Sequence, residues 1–275
     1  MKTERNILIA FILNLGFSIF EFVGGIITGS FAIMSDSIHD IGDAVGIGVS
    51  YIFEKISHKK PNDKYTFGYK RLSVVGSLIT TMILIVGSMV VVYNAICKMI
   101  SPTEINYNGM IVFAIIGVCI NFVAAIFTHG GHSMNEKAVN LHMLEDVFGW
   151  IVVLIGAVVI RFTDCLLIDP ILSVCVAVFI FVHAVKHLIE AFDILVEKAP
   201  HAVIVSEIRE CVLAIDGVID LKELRVWSLD GVENYCVMKV ECEKVGFDIT
   251  KRIREALVNF EVKNLIIEIE KGDRE

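Results

Sequence analysis

Two short segments pair an imidazole with a carboxylate four residues apart. His39 and Asp43 stand in Ser35-Asp36-Ser37-Ile38-His39-Asp40-Ile41-Gly42-Asp43, and His142 and Asp146 stand in Leu141-His142-Met143-Leu144-Glu145-Asp146. On a helix this spacing stacks both side chains on a single face. Two such faces turned toward each other supply two nitrogens and two oxygens, a tetrahedral set that suits Zn²⁺ at about 2.0–2.2 Å. On a soluble helix a lone pair of this kind is usually a solvated face. Here both pairs lie in the first halves of long apolar stretches, where an ionised carboxylate costs about 2.5 kcal/mol or more and ordinarily marks an ion or proton pathway. His39, Asp43, His142 and Asp146 are therefore read as metal ligands.

Neighbouring polar residues take lesser roles. Asp36, Asp40 and Glu145 point to other faces and read as helix-end groups solvated in a vestibule, with an entry path for the cation as the alternative. Asn14, Glu21 and Asn121 read as groups that bond to the ligands from behind. Gly42, Gly46, Gly48, Gly149 and Gly156 are weak signals of close helix approach.

The elements that must position these residues are membrane helices. Of the 275 residues, 55% are hydrophobic, too many for an ordinary soluble protein. The formal net charge of −8 provides no basic field for phosphates, so nucleic acid is not an expected partner. A helical span needs about 20 apolar residues, and six stretches qualify, at about 7–28, 31–53, 72–99, 110–127, 138–162 and 166–189. The first is read as a retained span rather than a signal peptide, because no small-x-small cleavage pattern follows it. Lys2, Arg5, Lys55, Lys59, Lys60, Lys64, Lys70, Arg71 and Lys137 fall on one side, which predicts both termini in the cytoplasm. Lys98 and Arg161, at the opposite ends of their spans, are expected to snorkel. The seven cysteines are scattered, form no C-x-x-C pair and read as reduced apolar residues.

After Ala199-Pro200 the composition changes to mixed charge and apolar residues, so the chain divides into a membrane domain, 1–199, and a soluble domain, 200–275. Val205–Ile215 has helical spacing with Ser206 as N-cap and Gly217 beyond its end. Leu221–Leu229 and Tyr235–Cys242 alternate like strands around an Asp230-Gly231 turn, Ile249–Asn259 is helical with Asp248 as cap, and Leu265–Glu270 alternates again. The resulting α-β-β-α-β order makes an open-faced α+β sandwich. Its core is small enough that dimerisation would help to stabilise it.

These motifs, together with Phe67-Gly68-Tyr69-Lys70-Arg71 opening the third span and Leu224-Arg225-Val226-Trp227-Ser228-Leu229 in the soluble domain, resemble the cation diffusion facilitator family over essentially the whole chain. The resemblance implies a homodimer of six-span membrane domains with cytoplasmic metallochaperone-like (ferredoxin-like) domains. It also implies divalent metal efflux from the cytoplasm across the cell membrane, driven by proton influx. Two H-x-x-x-D pairs resemble the zinc type, with Co²⁺, Cd²⁺ and Fe²⁺ as alternative substrates, whereas the manganese type has Asp for the first His. A charge interlock between Arg71 and Glu197 is implied as well. Arg225, Lys239 and Asn264 stand where many members carry His, so a cytoplasmic zinc cluster is not expected. Cys236, Cys242, Glu241 and Glu268 are the conceivable replacements there. His58 is alone in the loop between the second and third spans, and His129 and His132 would make at most a weak collecting site.

Because Zn²⁺ requires neutral imidazole and ionised carboxylate, metal and protons exclude one another at such a site, and that competition makes an exchanger possible. A membrane-embedded metalloenzyme is the second reading, disfavoured because catalytic zinc keeps an open position that four protein ligands would close. A metal sensor acting through the soluble domain is the third, disfavoured by the missing histidines.

Overall fold

The computed structural model describes residues 2–28, 31–100, 107–163, 168–200, 203–243, 247–258, 260 and 262–272. Six long helices come first: α1 Lys2–Thr28, α2 Phe31–Ser57, α3 Arg71–Ile100, α4 Tyr107–Thr128, α5 Met134–Thr163 and α6 Ile168–Leu195. At 27 residues α1 is roughly 40 Å long, more than the ~30 Å hydrocarbon layer. Among the described residues, α1, α3, α4, α5 and α6 each contain a stretch long and apolar enough to cross a membrane. α2 falls short of that measure because Asp36, Asp40 and Asp43 load its first half and Glu54 and Lys55 its last turn.

The bundle is arranged for lipid. Ile12, Ile19, Ile27, Met82, Val86 and Ile126 are exposed, while Asn14, Glu21, Ser50, Glu54, Ser88, Asn121 and Asn135 are buried. In water such a contiguous apolar exterior would drive aggregation, whereas in a bilayer it is the solvated surface. α1 packs on α2 and α4, α3 packs on α2 and α5, and α4 packs on α5. α2 and α5 meet within this ring. One apolar cluster joins Ile7 and Ala10 of α1, Ile47 of α2, Ala124 and Ala125 of α4, and Val139 and Met143 of α5. A second joins Leu84 and Ile85 of α3 to Ile180 and Ala184 of α6, with Phe148 of α5 against it. Of the glycines singled out in sequence, Gly46 and Gly48 do mark close approach, to Ile83 and Phe11, but a methyl at Gly42 or Gly149 would meet open space.

The chain divides into two compact units, Met1–Glu190 and Ala191–Glu275. The second holds α7 Val205–Leu213, β1 Val218–Ser228, β2 Asn234–Cys242, α8 Phe247–Ala256 and β3 Val262–Lys271. β2 is the central strand, antiparallel to β1 and parallel to β3. Its residues alternate strictly between buried and half-buried, so Cys236, Met238, Val240 and Cys242 all face the core. A parallel β2–β3 pair needs a crossover, and α8 supplies it by packing Ile249 and Ile253 on that face, with Leu257 just beyond its end.

Several local expectations change. β3 starts at Val262 rather than Leu265, and α8 starts at Phe247, so Asp248 lies in its first turn instead of capping it. β1 begins at Val218 rather than Leu221, because Val218 already pairs with Cys242. Ser206 is not the cap of α7: Ile204 occupies that position without a side-chain bond, and its carbonyl already accepts from Glu207 and Ile208 N–H. Starting two residues earlier puts Val205 against the core, a gain in burial that replaces the missing cap. The Asp230-Gly231 turn forms as read, with Gly231 at φ +81° and Asp230 Oδ1 accepting from the N–H groups of Val232 (2.9 Å) and Glu233 (2.8 Å).

Candidate metal centre

Asp43 on α2 and His142 and Asp146 on α5 each bring one potential ligand atom to a common point, all within 4.8 Å of one another. Among the described residues this is the only grouping of that kind. The i, i+4 spacing aligns His142 with Asp146, and the contact between α2 and α5 brings Asp43 across to them. His142 Nε2 lies 3.8 Å from Asp43 Oδ2, and both side chains are almost wholly buried. Donors on a tetrahedral zinc at ~2.0 Å are about 3.3 Å apart, so a bound ion needs to draw this pair together by only about half an ångström. His39 is one turn before Asp43 on α2, but its side chain lies outside the described residues, as does that of Asp36.

Groups behind these three side chains set their orientation. Asn14 of α1 donates from Nδ2 to Asp146 Oδ2 at 3.1 Å, leaving the other carboxylate oxygen for a metal. Asn14→Ala should lower zinc affinity about tenfold or more in a competition titration of the purified protein; unchanged affinity would mean that Asp146 does not ligate. Glu145 is not a solvated helix-end group. It turns toward α3, where Ser88 Oγ donates to Oε1 at 3.1 Å, and its Oε2 stands 3.8 Å from His142 Nδ1. A carboxyl oxygen of Glu145 therefore stands on the Nδ1 side of the ring, while Nε2 is the nitrogen turned toward Asp43. Glu21 is fully buried on the same helix as Asn14. Asn121 is buried without a hydrogen bond to any described residue. Helix register places it close to Asp146: Gly117, one turn away on α4, lies against Phe17 and Trp150, which are three and four residues beyond Asn14 and Asp146.

Sequence reasoning passed over Ser50, Glu54, Ser73 and Asn135, all buried. The available signal was periodicity: 43, 47, 50 and 54 share one face of α2, and 135, 139, 142 and 146 share one face of α5.

In the second unit two of the three positions that lack histidine, Arg225 and Lys239, carry ion pairs. Arg225 pairs with Glu223. Lys239 sits 2.5 Å from Glu270 and 3.5 Å from Glu268, and Lys222 sits 2.7 Å from Glu241. The hydrogen bond it donates to Glu270 holds Lys239 above the usual lysine range, and the one donated to Glu241 does the same for Lys222. Cys236 and Cys242 are in the core, where burial pushes the Cys236 thiol up to about 11, the wrong direction for a metal-binding thiolate. His58, His129 and His132 are exposed and outside the metal-holding group.

Carboxylates and an imidazole buried between membrane-length helices define a membrane protein that handles cations. The model of the cation efflux transmembrane domain matches residues 7–196, and the chain belongs to that family of transporters; it is not an enzyme. It is similar to the cadmium, cobalt and zinc/H(+)-K(+) antiporter of Bacillus velezensis, at 31% identity over 232 residues that cover 83% of this chain and 74% of that protein. It is similar also to the metal cation efflux system protein CzcD of Cupriavidus metallidurans, at 28% over 273 residues, covering 97% and 86%. The zinc transporter ZitB of Yersinia pseudotuberculosis shares 31% over 232 residues, covering 83% and 74%.

Proposed function

We propose that the chain exports Zn²⁺ from the cytoplasm in exchange for protons, through a tetrahedral site of His39, Asp43, His142 and Asp146. The observation that carries this reading is the buried convergence of Asp43, His142 and Asp146. Two of the relatives are named for zinc with cadmium and cobalt, or for zinc alone, and one is named as an antiporter with H(+) and K(+). All six helices span the cell membrane, both termini are cytoplasmic, and the transport part, 1–199, works as a homodimer carrying the cytoplasmic part, 200–275. Protons compete with metal because protonation takes up the imidazole's free lone pair and removes the carboxylate's charge, so the more acidic side releases the ion and the less acidic side loads it.

The test is zinc flux into proteoliposomes with and without a pH gradient. The gradient should accelerate flux severalfold, and flux that ignores the gradient would remove proton exchange. Cd²⁺, Co²⁺ and Fe²⁺ are the alternative substrates of the same donors. Mg²⁺ and Ca²⁺, which take six or more oxygen ligands, should not compete at a hundredfold excess. His39→Asp should loosen discrimination against Cd²⁺ or Mn²⁺, and an unchanged metal profile would take His39 out of the ligand set.

A further inference from the structure

One buried polar layer has no role in the metal site. Glu54 of α2 is 1% exposed, and Asn135 of α5 is fully buried. Glu54 Oε2 accepts from Ser73 Oγ of α3 at 2.7 Å, from Asn135 Nδ2 at 3.2 Å and from Ser133 Oγ at 3.4 Å. Asn135 Nδ2 also donates to the Ser50 carbonyl at 2.8 Å, and Ser50 Oγ donates to Asn135 Oδ1. Ser133 Oγ accepts from the Glu136 N–H at 3.0 Å, and Asn6 of α1 donates to Glu136 Oε1 at 2.7 Å. The layer thus ties α1, α2, α3 and α5 together at one end of the bundle. That end also carries Lys2, Arg5, Lys59, Lys60 and Lys64. α3 comes close enough there that a methyl at Gly76 would stand 3.0 Å from Asn135 Oδ1 and from Phe53 Cβ.

Between this layer and the metal centre lies apolar packing. On α2 the face runs Asp43, Ile47, Ser50, Glu54, and on α5 it runs Asn135, Val139, His142, Asp146. Ile47, Val139 and Met143 are buried in one cluster with Ile7, Ala10 and Ala124. On these faces of α2 and α5, both the polar and the apolar layer lie between the lysine-rich end and Asp43. Hydrogen bonds shielded from water hold such a junction shut, yet they break as a unit once water enters and replaces them.

We infer that the Glu54–Asn135–Ser73–Ser133 layer is the latch of a gate that closes the lysine-rich end of the cation path, with Ile47, Val139 and Met143 as its plug. The inference rests on the reading of Asp43, His142 and Asp146 as the transport site, because the path it closes is the path to them. The Asn135 amide is the central bond-maker, joining α5 to two positions on α2. The Ser73 hydroxyl brings in α3. Loss of either favours the open arrangement without touching a metal ligand.

The experiment reports gate opening without requiring transport. A V139C substitution in full-length, detergent-solubilised protein is modified with a charged, water-soluble thiol reagent, and the rate is corrected for the same chain lacking that substitution. Ser73→Ala and Asn135→Ala, each combined with V139C, should raise the modification rate roughly tenfold or more, the shift expected on losing a hydrogen bond to a charged group. Ser73→Thr, which keeps the hydroxyl, should leave it near the parent rate. Rates equal to the parent in both the Ser73→Ala and the Asn135→Ala protein would overturn the latch. Should Asn135→Ala fail to fold, the Ser73→Ala and Ser73→Thr pair decides alone. Repeating the measurement with Asp43→Asn and with added Zn²⁺ separates the two readings. If zinc changes the rate in the parent but the serine variants do not, the gate fails and the site stands. If the serine variants raise it while zinc has no effect, the gate stands and the site fails.

Discussion

His142→Ala should reduce zinc flux in proteoliposomes at least ~100-fold while the protein still elutes as a folded species. Even losing a group that merely orients a ligand costs about 10–100-fold in affinity or activity, and His142 brings a ring nitrogen within 3.8 Å of Asp43. The apolar cluster through Met143 and Val139 is untouched by the change, so the bundle should keep its helix content. His142→Gln, which preserves volume and polarity but not imidazole, should be equally inactive. Flux near the parental level in either variant would refute the site. Asp43→Ala should match, since Asp43 comes from the other helix and neither half of the grouping is complete alone.

The ligand spacing was legible in the sequence because period and chemistry coincide: four residues is one helical turn, and a carboxylate inside an apolar stretch needs a reason. Asn14 was legible on the same ground, as an amide in a span with no lipid partner. What could not be read was pairing between helices. Nothing in the run Met134-Asn135-Glu136 says that Asn135 faces Glu54 more than 80 residues away, because that depends on how α2 and α5 cross. Glu145 was misread for a related reason: three residues from His142 on a helix it lies on an adjoining face, and only the presence of Ser88 on α3 turns that face inward. In the second unit the alternation of β2 gave the strand its core face directly, while the start of α7 was displaced from its polar cap by the burial of Val205.

The second large effect is one of stability. Ile253 of α8 is fully buried against Val212, Met238 and Val240. Ile253→Ala should cost about 2–5 kcal/mol through lost burial and the cavity left behind. A domain of some 75 residues has on the order of 4–11 kcal/mol in all. Urea unfolding followed by Trp227 fluorescence should show the midpoint drop by ~1–3 M, or no folded baseline at all. Ile253→Val, removing one methylene, should lose only about 0.5–1.5 kcal/mol. A midpoint that Ile253→Ala leaves in place would mean that the α8 face does not hold the sheet.

Phe17 and Trp150 meet edge to face at 5.5 Å, with Gly117 pressed against both rings, one turn beyond Asp146; Ile47, Val139 and Met143 close the opposite side. The centre is therefore bounded by hydrocarbon above and below, and an arriving ion must exchange most of its hydration shell for protein oxygen and nitrogen before it settles. Water leaves Mg²⁺ reluctantly, whereas Zn²⁺ readily accepts a four-coordinate shell. On the proposed zinc reading, discrimination against magnesium is then partly a matter of speed. The compartment would turn slow water exchange into a time barrier, which holds even when the rejected ion is in large excess.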